Sequence, residues 1–579
     1  MFFMKENSFY QFFLLRITEC FNKNTIDSYR VRSNNAITLL YETRDVIDNW
    51  CKHRIKSFET VKYVLEECDT TVSKASCLTF ENCPKDLLSN TLREYKQSDG
   101  RNYIDASHLL YYIDLCIEEN SNSYLKRLFD SLKEILVSNE LKEENQQSLF
   151  EVTDRQITEL ACELIRLGYS KIYLFSYFQS LVKEMTTKGY DEFFNKFDEL
   201  SKHFISCTYD DYSVIFILSV PKKSPSIDGL VERIPEDILE KIEKDKKKQF
   251  QPSNNRKFCI KSIKALDEGA AIKLVREEIS QILDYSQNGP EHQTIRIPYN
   301  AFVGYRDING NVEVYKSRIV YSLDVSWGIE QDSITNLSTA MEKIESKSSV
   351  DNESRSRLKS ALRHLRIGDG QLEMEQRFIN YWIGLEFLFS SPEVSDATFT
   401  RMKKYLISIM ASCYIKRNIM NLVDWMKDFG CSTEVFKDDQ HIDQFIANND
   451  INSLMFYRLK RMKMHLHHSD KTEDYIVNHK CNLEQHLARL YRLRNELVHE
   501  GAIKRDMENL TSNLRYYLVF VLNQCIDYFV RDRLYDSKIS MDTFFWEYEK
   551  YQQIFSMNKK ANFKFEYIIK VPLSNKYLR

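Results

Sequence analysis

The chain has 579 residues, of which 43% are hydrophobic and 28% charged, values typical of a globular protein with two to four domains. Its formal net charge of -3 offers no overall attraction to nucleic acid, so any contact with nucleic acid must come from a local patch or a single site. No apolar run of about 18 residues predicts a membrane span, and the N-terminal segment lacks the pattern of a signal peptide. The thirteen cysteines show no Cys-x-x-Cys spacing and are expected to be buried thiols of a cytoplasmic protein.

Residues 1–205 are predicted to form a helical N-terminal region. Apolar residues recur there at intervals of three and four, the spacing that places them on one face of an α-helix. The segments with this pattern are Ala106–Ile117, Tyr124–Val137, Ile157–Leu167 and Ile172–Met185. No internal repeat indicates a solenoid.

Residues 206–345 are predicted to form a smaller α/β domain with a regulatory role. Short runs of β-branched and alternating apolar residues predict strands. These runs are Ser213–Val220, Phe258–Leu266, Thr294–Pro298, Phe302–Ile308 and Val312–Leu323. Asp267 is a candidate N-cap for a helix over Glu268–Tyr285, and Asn309-Gly310 is typical of a hairpin turn.

The remaining chain is predicted to return to helices after the polar boundary Ser346–Asn352. Helical periodicity continues to about residue 535, and residues 536–579 are expected to form a helix and a last strand, Phe563–Val571. The predicted fold class is therefore mainly α with a smaller α/β domain.

Two groups of possible metal ligands are set aside. The alternating oxygen side chains of Asp307, Asn309, Asn311 and Glu313 resemble a calcium loop, but its glycine would be misplaced. The cluster of His465, His467 and His468 has no cysteine or carboxylate at ligand spacing, and a solvated basic loop is the preferred interpretation. No glycine-rich phosphate loop is present, so neither a metal nor another cofactor is predicted.

The most informative segment is Asn482–Gly501, in which leucines at 483, 487, 490, 493 and 497 define an amphipathic helix. At about 100° per residue, Arg494 falls inside the apolar arc, where a guanidinium is costly unless it is paired or lines a site. Arg489 and Arg492 fall outside the arc and are predicted to be solvated. Arg492→Ala is accordingly expected to leave any activity intact.

His499 and Asn495 are four residues apart, so they share a helix face and the amide could orient the imidazole. On an ideal helix that face lies roughly 100–140° from Arg494. Arg494 and His499 can therefore meet only if the helix ends early, or across a subunit boundary. Gly501 stands where a helix C-cap is expected.

A second charge lies on an apolar helix face in Arg357–Phe389. Glu386 falls among the aromatic and aliphatic residues of the second helix in this segment, and its sign is opposite to that of Arg494. The two residues are therefore predicted to pair. A purely structural ion pair between core helices is the alternative interpretation.

The motif Arg494-Asn495-x-x-x-His499, preceded by a helix with the pattern R-F-I-x-Y-W-x-x-L-E-x-L-F, resembles the HEPN superfamily, particularly the HEPN domains of bacterial anti-phage and abortive-infection proteins. The segment KALDEGAAIKLVREEISQIL is similar to one that often precedes such domains. The resemblance covers roughly residues 345–535, about a third of the chain, and the interval 400–479 is long for a minimal HEPN bundle, which suggests an insertion.

The resemblance implies a metal-independent endoribonuclease in which an RNA 2′-hydroxyl attacks the adjacent phosphate. His499 would move the proton and Arg494 would stabilise the phosphorane. Asn495 would orient His499 or bind a phosphate, and Glu386 would hold Arg494 or poise the imidazole. The resemblance also implies a homodimer or higher even oligomer, single-stranded RNA such as transfer RNA loops as substrate, and a phage-derived trigger or regulatory partner.

Two other interpretations remain open from the sequence. The first is a non-catalytic HEPN module that binds RNA or a protein. The second is an interaction scaffold in which Arg494 and Glu386 are structural.

Overall fold

A computed structural model describes residues 8–22, 34–100, 103–137, 143–222, 224, 226–286, 295–306, 313–319, 331–390, 398–467, 469–500, 507–532, 538–557 and 565–578. The chain divides into two compact units. The first comprises residues 1–13, 29–156 and 327–579, and the second comprises residues 14–28 and 157–326. These units do not follow the predicted boundaries at 205/206 and 345/346, because most of the N-terminal helices belong to the same unit as the C-terminal half.

The chain is mainly helical with a small antiparallel sheet, as predicted. The described α-helices are α1 Ser8–Phe21, α2 Ala36–Cys51, α3 Phe58–Lys74, α4 Lys85–Gln97, α5 Tyr103–Asn120, α6 Tyr124–Val137, α7 Glu143–Arg166, α8 Lys171–Lys188, α9 Phe193–Ser206, α10 Glu236–Lys241, α11 Glu268–Ser286, α12 Gln331–Ser346, α13 Asn352–Gly370, α14 Met374–Phe389, α15 Thr398–Trp425, α16 Asp439–Asn448, α17 Ser453–His467, α18 Ser469–Asn495, α19 Glu508–Val530, α20 Met541–Met557 and α21 Phe565–Lys570. None of these helices combines the length and apolarity that a membrane span requires.

The second unit contains the four-stranded sheet, in the order β2-β1-β3-β4 with every neighbouring pair antiparallel. The strands are β1 Asp210–Ser219, β2 Arg256–Ala265, β3 Asn300–Arg306 and β4 Glu313–Ile319. Alternate residues of β1 point to opposite faces of the sheet, so Val214 and Phe216 contribute to the core shared with α11, whereas Ile215 contributes to the core on the other face. The predicted strands at β1 and β2 are confirmed.

The predicted cap of α11 is also confirmed. Asp267 Oδ1 accepts a hydrogen bond from the backbone N–H of Ala270 at 2.9 Å, which satisfies one of the unpaired donors at the helix start. Asp267 accepts two further bonds from Ser170, the N-cap of α8. One buried carboxylate therefore fastens the starts of two helices. The predicted turn at Asn309-Gly310 and the calcium-like positions 307, 309 and 311 lie outside the described residues.

Two predictions about the C-terminal half need correction or refinement. The prediction of a last strand over Phe563–Val571 is wrong for the residues that the structure describes. Phe565–Lys570 form the short helix α21, which buries Ile568. A helix satisfies its own backbone bonds, whereas a strand needs a neighbour. The interval 400–479 contains α15, α16 and α17, which share a core that includes Ile419, Phe445 and Leu459.

Candidate functional site

The site is organised by α18, the helix that carries Arg494 and leads into the turn with His499. The leucines that predicted its apolar face are buried from Leu483 to Leu493, and Leu497 is half-buried. The amphipathic pattern is therefore confirmed, and it fixes which way the C-terminal end of α18 faces the neighbouring helix α14.

Arg494 and Glu386 form the predicted ion pair between α18 and α14. Arg494 Nη2 lies 3.6 Å from Glu386 Oε1, and the same carboxylate oxygen accepts a 2.7 Å hydrogen bond from the indole N–H of Trp382. The side chains are 25% and 31% exposed, so neither charge is fully buried as the helical angles had suggested. A held but accessible guanidinium suits a site that binds an anion.

The amide of Asn495 faces the guanidinium. Arg494 Nη1 donates to Asn495 Oδ1 at 3.2 Å, so Arg494 contacts Asn495 through one nitrogen and Glu386 through the other. These two acceptors limit the rotation of the planar guanidinium group. Asn495 was predicted from its spacing to His499, and a contact with Arg494 was not foreseen.

The backbone changes its winding between Arg494 and His499. Regular α-helix ends at Asn495, and Glu496–Glu500 form a π-helical turn. Such a turn holds about 4.4 residues, so the angular offset between positions 494 and 499 falls from about 140° to about 70°. The regular α-helix therefore ends before His499, as the first of the two predicted alternatives requires. The structure describes the backbone of His499.

Aromatic rings pack beside the Arg494–Glu386 pair. The Tyr491 ring stacks on Phe399, with 4.1 Å between centroids and 16° between planes. Its centroid is also 5.9 Å from that of Trp382. Trp382 thus joins the ring cluster and holds the Glu386 carboxylate. Tyr491 lies one helical turn before Arg494, a spacing that could have identified it from the sequence.

The prediction that Arg489 and Arg492 are solvated is wrong. Arg492 is 6% exposed, and it donates to Glu42 at 2.6 Å and to the Thr60 carbonyl at 2.8 Å. Arg489 bonds to Glu42 at 2.9 Å and to Glu67 at 2.7 Å. The helical angles described α18 alone, whereas α2 and α3 cover the side outside the leucine arc. Arg492→Ala is therefore unsuitable as a neutral control.

Burial by itself would raise the pKa of the Glu42 carboxyl, but the charges and hydrogen bonds of Arg489 and Arg492 outweigh this effect and hold the pKa at about 2. The carboxylate is therefore ionised at every ordinary pH. We call Glu42, Glu67, Arg489 and Arg492 the clamp network. It fastens α18 to α2 and α3 on the side of the helix away from Arg494.

The histidine cluster differs from the predicted solvated loop. His465 lies in α17, and its ring stacks on Tyr475 at 3.8 Å. Burial, assisted by the charge of Arg461, lowers the pKa of His465 to about 4, so the ring is neutral near pH 7. His468 and the side chain of His467 lie outside the described parts. Within those parts, no three His, Cys, Asp or Glu side chains are grouped to hold a metal ion.

Comparisons of the chain with models of protein families, with curated proteins and with solved structures found no match. Evidence for a function therefore comes from the site around Arg494. There, the partly exposed Arg494 is held by Glu386 and Asn495 at the point where α18 passes into the π-helical turn that carries His499.

Proposed function

We propose that this protein is a metal-independent endoribonuclease of the HEPN type that acts in bacterial anti-phage defence. The observation that carries this proposal is the Arg494–Glu386 pair at the start of the π-helical turn. A structural ion pair needs neither a partly exposed guanidinium nor a rare winding of the helix, and π-helical turns are frequent at functional sites.

The proposed reaction is an attack of the RNA 2′-oxygen on the adjacent phosphorus. A bond forms between these two atoms, the bond from phosphorus to the 5′-oxygen breaks, and the products end in a 2′,3′-cyclic phosphate and a 5′-hydroxyl. His499 takes the proton from the 2′-hydroxyl or delivers one to the leaving oxygen, as an imidazole can near neutral pH. Arg494 donates to the equatorial phosphorane oxygens, where negative charge accumulates.

Glu386 and Asn495 support Arg494 in this scheme. Glu386 contacts one terminal nitrogen of the guanidinium and Asn495 contacts the other, so the group is oriented before the substrate arrives. Preorganised donors contribute more to transition-state stabilisation than donors that must reorient. The Trp382 indole N–H in turn fixes Glu386.

We expect the protein to form a dimer or a higher even oligomer, because one Arg-His pair per chain is a sparse site and a two-fold axis would join two of them. The expected contact involves the face around Arg494 together with α14. Analytical ultracentrifugation of the purified protein checks this expectation. A strict monomer that still cleaved RNA would contradict it.

Cleavage should be unaffected by EDTA, because the proposed chemistry requires only His499 and Arg494. The assay incubates single-stranded RNA with the protein with and without the chelator, and it resolves the products by gel and by their end groups. Loss of activity in EDTA and recovery with manganese would overturn the metal-independent mechanism. The His465 region would then need to be tested for metal binding.

A further inference from the structure

The outer surface of α13 and α14 carries a partly exposed pair of aromatic rings next to the candidate site. Phe387, which follows Glu386 in the chain, is 39% exposed. Its ring stacks with the imidazole of His364, with 5.5 Å between centroids and 24° between planes. Exposure of an apolar ring to water is unfavourable. A surface pair of stacked rings is therefore a favourable place for a third flat ring to stack.

The imidazole of His364 is held in one orientation. The Asn380 amide nitrogen donates to the Gln376 carbonyl at 2.8 Å, which turns Asn380 Oδ1 toward His364 Nδ1 at 3.1 Å. Since an amide oxygen can only accept, His364 Nδ1 is the donor in this hydrogen bond. The ring pair is therefore preorganised.

Two exposed arginines lie on the outer face of α13, whereas His364 lies at the edge of that helix where it meets Phe387 of α14. Arg355 and Arg357 of α13 donate to nearby carbonyl and carboxylate oxygens. Arg363 and Arg366, on the outer face of the same helix, have no hydrogen bond or ion pair with any residue that the structure describes. These two cations are three residues apart, so they can both contact one polyanionic chain.

We propose that Arg363, His364, Arg366 and Phe387 form a binding shelf for single-stranded RNA beside the cleavage site. The arginines would bind phosphates, and the His364–Phe387 pair would stack on an unpaired base, the combination that single-strand-binding proteins use. Phe387 links the shelf to Glu386 and therefore to Arg494. The shelf uses the side of α14 where Phe387 meets His364 of α13, whereas the expected subunit contact lies around Glu386 and Arg494, on the side toward α18.

Because the shelf presupposes the ribonuclease proposed above, its test measures RNA binding separately from cleavage. The probe is a fluorescein-labelled single-stranded RNA of mixed sequence, titrated with His499→Ala protein and followed by anisotropy. Phe387→Ala in this background should weaken binding about tenfold, through loss of one stacked base. Arg363→Ala with Arg366→Ala should also weaken it about tenfold and should reduce the slope of log Kd against log salt by about 1.4, for two phosphate contacts.

Matched controls exist elsewhere in the chain. Trp546 is an exposed ring on α20, and Arg93 with Lys96 form a second pair of cations three apart, on α4. Trp546→Ala and the double variant Arg93→Ala with Lys96→Ala should leave Kd within about twofold, because both groups lie outside the shelf. Thermal unfolding verifies that each variant is folded.

Unchanged Kd in both shelf variants would overturn the shelf, as would a failure of the His499→Ala protein to bind the probe. Weaker binding accompanied by dissociation of a dimer would also overturn it, since the surface would then be a subunit contact. Cleavage by the unmodified protein is scored in a separate assay. If the unmodified protein cleaves RNA but the shelf variants bind the probe with unchanged Kd, the shelf alone is rejected. If the shelf variants bind more weakly but the unmodified protein does not cleave RNA, the ribonuclease alone is rejected.

Discussion

Replacing His499 with alanine should reduce RNA cleavage by about two to four orders of magnitude, the usual contribution of general acid–base catalysis. The fold should persist, because the substitution falls in the π-helical turn after the regular part of α18 has ended. His108→Ala is the matched control, since His108 is exposed on α5 and remote in sequence from the motif. Initial rates on the same RNA, together with circular dichroism, provide the comparison.

Arg494→Lys should also lose most of the activity while keeping the positive charge. A lysine ammonium cannot reproduce the two directed contacts of the guanidinium with Glu386 and Asn495, nor present a planar pair of donors to a phosphorane. Arg93→Lys, at an exposed pair with Asp69, is the control and should remain fully active. If the His499 and Arg494 variants both cleaved as fast as their controls, the proposed catalytic pair would be wrong.

Glu42→Gln should lower the free energy of unfolding by about 3–5 kcal/mol. The substitution removes one of the two carboxylates that the buried Arg489 and Arg492 contact, and only Glu67 remains. Asp48→Asn provides the control on the same helix. Asp48 pairs with Lys52 where both side chains are about half exposed, so its loss should cost under about 1 kcal/mol. Urea unfolding of the variants and the wild type gives both values. Equal effects of the two substitutions would contradict a stabilising clamp network.

The stability difference between wild type and Glu42→Gln should depend on pH. The pKa of Glu42 is about 2 in the folded chain, below the ordinary value of 4.5, so the folded state binds this proton less readily than the unfolded chain. The contribution of Glu42 is therefore fully present above about pH 4.5 and is lost as the pH falls toward about 2. Glutamine does not titrate, so the difference should shrink over that window. A difference that stayed constant down to about pH 3 would contradict the folded-state pKa.

Local periodicity predicted much of the fold and part of the site. The leucine spacing of α18 and the apolar arc of α14 were enough to place Arg494 opposite Glu386, because two amphipathic helices that share a core bring residues of the same arc together. The strands β1 and β2 and the Asp267 cap followed from short-range patterns in the same way.

Other features depend on contacts between distant parts of the chain and could not be predicted from one helix. Arg492 lies outside the leucine arc and was assigned to solvent, yet Glu42, 450 residues earlier, meets it there. The π-helical turn at Glu496–Glu500 has no marker in the local sequence that separates it from ordinary helix. The grouping of the N-terminal helices with the C-terminal half was missed for the same reason, since helical periodicity does not report which helices share a core.

The most direct test of the central claim is to express the wild type and His499→Ala in bacterial cells and to map new RNA ends. The wild type should inhibit growth, on its own or after phage infection, and should produce RNA fragments with 5′-hydroxyl and 2′,3′-cyclic phosphate ends. His499→Ala, at the same protein level, should do neither. Equal growth inhibition by the two proteins, or a wild type that produces no such ends even in infected cells, would contradict the ribonuclease account.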